Sequence, residues 1–257
     1  MKYTRYILSN AINEFRSEYV SSVLSLFWVI LHPLFLILIY SFVFTTIMGA
    51  KFHAIESNFA YTLFLCSGIL PWTIFSQSLT AGTISILQNA SYVKKLPVPL
   101  PVYVIKSVVK VSLNIVFYLG LLLLFAVVVA GFAPSWHWVL MLIPVLLLQI
   151  FVCGLSLVLS AVNVFFRDIS IGLPVALQFV MWSLPIVYPI DIIPERLQRV
   201  ITMNPLYSYF HAIREVFLYR QSMSVHDLAV MVACSFVVLV VGYFALKRLS
   251  GEIKDVI

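Results

Sequence analysis

Trp182 to Arg220 reads W-S-L-P-I-V-Y-P-I-D-I-I-P-E-R-L-Q-R-V-I-T-M-N-P-L-Y-S-Y-F-H-A-I-R-E-V-F-L-Y-R, and its reading decides the fold. An apolar run reaches Tyr188 and breaks at Pro189. Pro194 suits a first helical position, with Glu195 favoured by the helix dipole in the first turn. Asn204-Pro205 reads as an N-cap followed by proline at the first helical position, so a second helix starts there. Its apolar stripe is Leu206, Tyr209, Phe210, Ile213 and Phe217, with His211, Arg214 and Glu215 off the stripe. Each piece is too short to cross a bilayer, which takes roughly 20 apolar residues. The pair reads either as a re-entrant hairpin beside a pathway or as an amphipathic loop on the surface.

Outward from this segment, the chain is strongly apolar. Of its 257 residues 62% are hydrophobic and 10% charged, where a soluble domain carries about 25% charged residues. A polytopic membrane protein is expected. The formal charge of +6 does not point to nucleic acid, because the basic residues sit at the ends of apolar runs. Cys66, Cys153 and Cys234 lie within apolar runs without metal-ligand spacing and read as small buried hydrophobes. No cleavable signal and no appended soluble domain are expected.

Apolar runs at about 23–49, 59–80, 107–131, 138–164, 170–188 and 228–246 predict six spans at roughly 20 residues each. The first must tilt or kink, with Pro33 the expected kink. Before it, residues 1–20 predict an amphipathic interface helix, with Tyr3, Ile7, Ala11 and Phe15 on one face, resting on lipid or on a partner protein. One set of loops and ends holds 11 of the 16 basic residues and the other set 5, so both termini are expected in the cytoplasm and the 189–220 hairpin outside.

Between spans two and three, T-I-S-I-L-Q-N-A-S-Y-V-K-K-L-P-V-P-L-P predicts a short helix over Thr83–Val93, stopped before Pro97, Pro99 and Pro101. It reads as a docking knob or as a membrane-anchoring loop with snorkelling Lys94 and Lys95. The tight turn F-F-R-D-I-S at Phe165–Ser170 reads as a helix cap and topology marker, or as a gate or partner contact through Arg167-Asp168.

Chemistry is conspicuous by omission. There is no G-x-x-x-x-G-K-[ST] phosphate loop, G-x-S-x-G, H-E-x-x-H or Cys/His metal cluster in the sequence. No carboxylate lies between Glu56 and Asp168. Ion-coupled transporters place ionisable groups inside their spans despite a cost of roughly 2.5–3.5 kcal/mol each or more. A transporter lacking them needs energy from another subunit. Aromatics are plentiful, with 20 Phe, 13 Tyr and 5 Trp. Trp28, Phe35 and Phe42 recur at seven residues, and Phe179, Trp182 and Tyr188 crowd the outer half of span five; they serve helix packing and interfacial belts, or a surface on which sugar rings slide.

Several segments, in this order and spacing, carry a family resemblance. They are Arg16–Leu34 (R-S-E-Y-V-S-S-V-L-S-L-F-W-V-I-L-H-P-L), Tyr40–Phe44 (Y-S-F-V-F), Gly68–Trp72 (G-I-L-P-W), Asn89–Pro97 (N-A-S-Y-V-K-K-L-P), Phe165–Ile169, Pro194–Arg196 and Met203–Leu206. Within its six-span frame the chain resembles the permease subunits of ABC-2 type transporters, in the branch exporting lipid-linked O-antigen, capsular polysaccharide or teichoic acid. The resemblance implies an all-α integral membrane protein forming one transmembrane domain over 1–257. Its parts would be an interface helix (1–20), a cytoplasmic coupling loop (83–101) and outer re-entrant helices (189–220).

It further implies a homodimer bound to two copies of a cytoplasmic ATPase in the bacterial inner membrane. The cargo would be polyprenyl-pyrophosphate-linked polysaccharide. The chain itself would carry no catalytic residue, metal or cofactor, with ATP and Mg bound by the partner. Gln88, Asn89, Tyr92, Lys94 and Lys95 would couple to the ATPase. Trp28, Phe35, Phe42, Phe179, Trp182 and Tyr188 would line the glycan channel. Arg5, Arg16 and Arg167 are candidates, by charge, for the pyrophosphate headgroup. Pro194, Glu195, Asn204, Pro205 and Arg214 would belong to the outer re-entrant helices. The alternatives are an ABC-2 exporter of drugs or small lipids, and an integral-membrane glycan-modifying enzyme built on His211, Arg214 and Glu215.

Overall fold

The structure, a computed structural model, describes residues 2–20, 23–47 and 59–257; the side chains of residues 2–6, 18–20, 23–26, 29, 45 and 46 lie outside the description. The described residues form helices and connecting turns, with no strand among them. In order, the helices are α1 (Lys2–Val20), α2 (Val23–Tyr40), α3 (Ala60–Gln88), α4 (Ala90–Lys95), α5 (Leu100–Ser112) and α6 (Ile115–Val128). Then come α7 (His137–Leu140), α8 (Leu142–Phe165), α9 (Asp168–Ser183), α10 (Glu195–Thr202), α11 (Pro205–Phe217) and α12 (Val225–Val256). A π-helical segment, Ser41–Ile47, prolongs α2, and a 3-10 turn, Ile190–Ile192, precedes α10.

Among the described residues, four helical stretches are long and apolar enough to cross a membrane: α3, α5 with α6, α7 with α8, and α12. At 1.5 Å per residue, the 29 residues of α3 reach about 44 Å, beyond a hydrocarbon core of about 30 Å. Two shorter apolar helices, Ile30–Phe44 and Asp168–Ser183, accompany them. The third apolar run is broken around Leu113 and Asn114, with α5 and α6 on either side.

The centre of the bundle is α3, most of which is buried. Its sequence explains the position. Ser67, Gly68, Ser78, Gly82, Thr83 and Ser85 are small and let neighbouring helices approach, and apolar Leu63, Leu65, Leu70, Ile74 and Phe75 fill the remaining space. In the absence of water the hydroxyls turn back to their own helix: Ser67 donates to Phe64 O, Thr83 to Leu79 O and Ser85 to Gly82 O. The most extensive helix pairing joins α8 to α12. It depends on two glycines. A β-carbon on Gly154 would lie 2.5 Å from Leu239 N, and one on Gly242 would collide with Gly154 O. This is the close small-residue crossing by which helices associate in lipid.

Several expectations change. The helix expected over Thr83–Val93 is not separate: α3 continues through Gln88, and the break falls at Asn89, whose carbonyl accepts from Tyr92 N and Val93 N. The loop after that helix is shorter than the proline run. Only Leu96–Pro99 is irregular, and Pro101 sits in the first turn of α5, where its missing N–H costs nothing. The fifth apolar run does not stay helical to Tyr188. α9 ends at Ser183, because Pro185 has no N–H and holds Leu184 in an extended conformation (ψ 148). The amphipathic face of α1 packs on the chain itself: Ala11 is fully buried, Phe15 stacks on Phe117 with centroids 6.4 Å apart, and Glu14 bonds Lys106 of α5 at 2.6 Å. Helix α2 runs through Pro33, and its geometry changes later, at Ser41.

The glycine contact yields a direct test. Gly154→Val is expected to separate α8 from α12 and lower the thermal midpoint of the purified protein by several degrees, with a loss of about 2–4 kcal/mol. Gly120→Val, at a position with open space around it, is expected to leave the midpoint unchanged.

Candidate functional site

The segment between α9 and α11 builds one end of the molecule. Leu184 to Ile186 is non-helical yet buried, so its carbonyls need donors from the protein. Arg214 provides them: Nη1 donates to Pro185 O and Nη2 donates to Ile186 O at 2.6 Å. The guanidinium lies 3.8 Å above the centroid of Phe64, and Gly68 leaves the space it fills, since a β-carbon there would lie 2.7 Å from Nη2. Tyr61 adds a bond from its hydroxyl to Val187 O at 3.1 Å, and Tyr188 donates to Trp182 O at 2.7 Å. Burial pulls the Arg214 guanidinium down to about 10, so it remains a cation at neutral pH.

Both expected helices are present, as α10 and α11. Asn204 caps α11 by accepting from Leu206 N, with Pro205 in the first position; Pro194 itself is the cap residue of α10, and Glu195 opens the helix. The apolar stripe Leu206, Tyr209, Phe210, Ile213 and Phe217 is buried throughout. Arg214 departs from the expectation that it lies away from the core. α10 has no buried residue and presents Leu197 and Val200 to the outside, with Met203 just beyond its end.

The opposite end is basic. In α4, Val93 is buried as an anchor while Tyr92, Lys94 and Lys95 are exposed around it; Gln88 is exposed and Asn89 partly so. Lys254 of α12 joins Val93–Pro97 around a cavity of about 410 Å³. The Glu14–Lys106 ion pair brings α1 to a second cavity of about 230 Å³ with Gln88, Asn89 and Lys110. The C-terminal helix end therefore meets the Ala90–Lys95 helix, and α1 reaches the end of α3 just before it. Arg16 and Arg167 are exposed, and Arg167 precedes Asp168, the first residue of α9; the Arg5 side chain lies outside the described residues. Asn163 secures this two-residue turn, accepting from Ser170 N at 3.0 Å and donating to Thr83 O at 3.3 Å.

Between the two ends the flanks of α3 differ from what aromatic spacing suggests. Trp28, Phe35 and Phe42 are exposed on α2 and its π-helical extension, and Phe179 and Trp182 on α9; Tyr188 is only partly exposed. Helices α2 and α9 each pack against α3. The sequence reading missed an open groove of about 550 Å³ between α3 and α9, where Ser76, Gln77, Thr80 and Gln178 stand beside Trp72. Its signal in the sequence is a polar stripe at helical spacing (Thr73, Ser76, Gln77, Thr80) inside an apolar run. His211, Arg214 and Glu215 line a cavity of about 340 Å³ with Asp191, Tyr207 and Tyr219, but Arg214 is committed to backbone carbonyls rather than to a reacting group.

The sequence model for ABC-2 type transporters matches residues 6–218. The chain belongs to the ABC-2 type transporter family. An O-antigen export system permease protein RfbA of Klebsiella pneumoniae is 29% identical over 246 residues, covering 95% of this chain and 92% of that protein. The RfbA of Myxococcus xanthus is 28% identical over 240 residues, 93% and 90% of the two chains. The polysialic acid transport protein KpsM of Escherichia coli is 24% identical over 205 residues, 79% and 78% of the two. These relatives are named as export and transport proteins, and the four long apolar helices fit a multi-pass membrane permease.

Removing the Arg214 side chain leaves two buried carbonyls without donors, at about 1–3 kcal/mol each. Arg214→Leu is therefore expected to lower the thermal midpoint and to raise hydrogen exchange in 184–188. Gly68→Val is expected to reproduce the effect by displacing the guanidinium; wild-type exchange in both variants would contradict the clamp.

Proposed function

We propose that this chain is the membrane half of an ATP-driven exporter that carries polyprenyl-pyrophosphate-linked polysaccharide across the bacterial inner membrane. The observation that carries the reading is the near full-length similarity to O-antigen export permeases, supported by the polysialic acid transport proteins. Two chains form a symmetric dimer, each bound to one cytoplasmic ATPase that holds the ATP and Mg. Six crossings result when Ile30–Phe44 and Asp168–Ser183 join the four long helices. Both termini and the basic end face the cytoplasm, as the charge bias favours. The 189–220 hairpin, with Pro194, Glu195, Asn204, Pro205 and Arg214, then lies at the outer face as a re-entrant unit.

Coupling is assigned to the Ala90–Lys95 helix, with Gln88 and Asn89 at its base. Support comes from its shape, since one buried anchor, Val93, holds three exposed side chains, Tyr92, Lys94 and Lys95, outward. The pyrophosphate headgroup meets cations at the same end, among Arg5, Arg16 and Arg167. The sugar path runs along α3. Trp28, Phe35 and Phe42 approach it from α2, and Phe179, Trp182 and Tyr188 from α9. The amides and hydroxyls of Gln77, Gln178, Ser76 and Thr80 replace water around passing sugar hydroxyls. Exposed aromatic faces on both sides of α3 suit a boundary shared with a second copy.

Two measurements test this reading. Lys94→Glu with Lys95→Glu is expected to reduce co-purification of the ATPase at least ~10-fold while the permease stays folded; unchanged co-purification would remove α4 from the interface. Gln77→Leu with Gln178→Leu is expected to slow glycan export several-fold with the complex intact. Wild-type export in that variant would place the path elsewhere.

A further inference from the structure

His211 and Glu215, which line the 340 Å³ cavity, belong to a group of side chains for which transport has no evident use. His211 and Glu215 are one turn apart on α11 and share a face, and Asp227 faces them from the first turn of α12. His211 Nδ1 lies 2.9 Å from Asp227 Oδ2 and 3.9 Å from Glu215 Oε2, and all three donor atoms fall within 4.8 Å of one another. Tetrahedral coordination at bonds of about 2.0–2.1 Å requires donor atoms about 3.4 Å apart, between the two observed distances. His226, exposed and outside that group of three, brings a second imidazole close by, its Nδ1 3.8 Å from the other Asp227 oxygen, Oδ1.

The surroundings orient these groups. Tyr207 stacks on the His211 ring with centroids 5.2 Å apart, and Ser224 N donates to Glu215 Oε2 at 3.2 Å. Asp227 is buried, with its side chain only 8% exposed, so two carboxylates converge at a largely shielded site. The nearest cation in the cavity lining, Arg214, turns away to the carbonyls of Pro185 and Ile186, and Asp191 adds another negative charge to the lining. A single imidazole between two carboxylates undercompensates them. The site opens through the 340 Å³ cavity, which gives an ion a way in.

We propose that His211, Glu215 and Asp227, with His226 as fourth donor, bind a divalent cation of the zinc class and so bridge α11 to α12. Two imidazoles and two carboxylates form a borderline donor set that suits Zn2+ better than Mg2+ or Ca2+, which take oxygen ligands. On binding, the ion takes the place of the proton on His211 Nδ1 that faces Asp227, and the neutral imidazole keeps its one proton on Nε2. The bridge ties the outer hairpin to the last long helix. It stands on these contacts alone and is independent of the cargo.

The test uses the full chain, purified in detergent through a tag without histidines, stripped with chelator and dialysed against Zn2+. Wild type is expected to retain about one zinc per chain, and His211→Gln and Asp227→Asn to bind at least ~100-fold more weakly. His226→Ala, at an exposed position, is expected to weaken binding ~10-fold, and His137→Ala to leave it unchanged. Co2+ in the wild type is expected to show the intense visible bands of a four-coordinate ion, which decides the matter even if a core variant fails to fold. No zinc retained by the wild type, equal retention in His211→Gln, or a six-coordinate cobalt spectrum overturns the proposal.

Discussion

The end of the molecule built by residues 184–217 depends on one cation bonded to two backbone carbonyls. Pro185 lacks an N–H and holds Leu184 extended, so Leu184–Ile186 is left with polar backbone buried inside the protein. Arg214 meets that need with a planar fork that bonds Pro185 O and Ile186 O at once, a geometry lysine does not offer. Everything nearby accommodates the fork: Phe64 below it, Gly68 beside it, and the buried stripe of α11 that places it. The break in α9 and the helix that repairs it are thus one unit, although 28 residues separate the bonded pair Ile186 and Arg214.

The same economy of polar groups runs through the bundle. Hydroxyls in α3 return to their own helix, Ser112 donates to Gln149 at 2.8 Å between α5 and α8, and Tyr209 bonds Ser235 and Met231 O between α11 and α12. Small residues then let helices close on one another without an oil-water gradient to drive them. Among the described residues, buried charge sits at the ends: Lys106 with Glu14 at one, Arg214 and Asp227 at the other. The exposed Ala90–Lys95 helix is a suitable place for a partner subunit to deliver work, as proposed above.

Much of this was legible in the sequence because periodicity and punctuation act locally. Asn204-Pro205 announces a helix start, and the i, i+3, i+4 spacing of Leu206 through Phe217 announces its buried face. What escaped was non-local. Hydropathy carries the fifth run on to Tyr188, and only the pairing of Pro185 with a distant arginine shows that the helix ends at Ser183. Arg214 looks like a surface residue by polarity, since its carbonyl partners lie on another segment. The Gln77–Gln178 groove likewise joins two helices about a hundred positions apart, so neither stripe alone marks it. Pro101 misled in the other direction: a proline that ends one helix by composition begins the next by position.

The central claim is that the chain is a conduit without an engine. The direct measurement places it in lipid vesicles with labelled polyprenyl-linked glycan, alone under a proton or sodium gradient and, separately, with its ATPase and ATP. Glycan movement is predicted only when ATPase and ATP are both present. Movement driven by the ion gradient with no nucleotide would contradict the account.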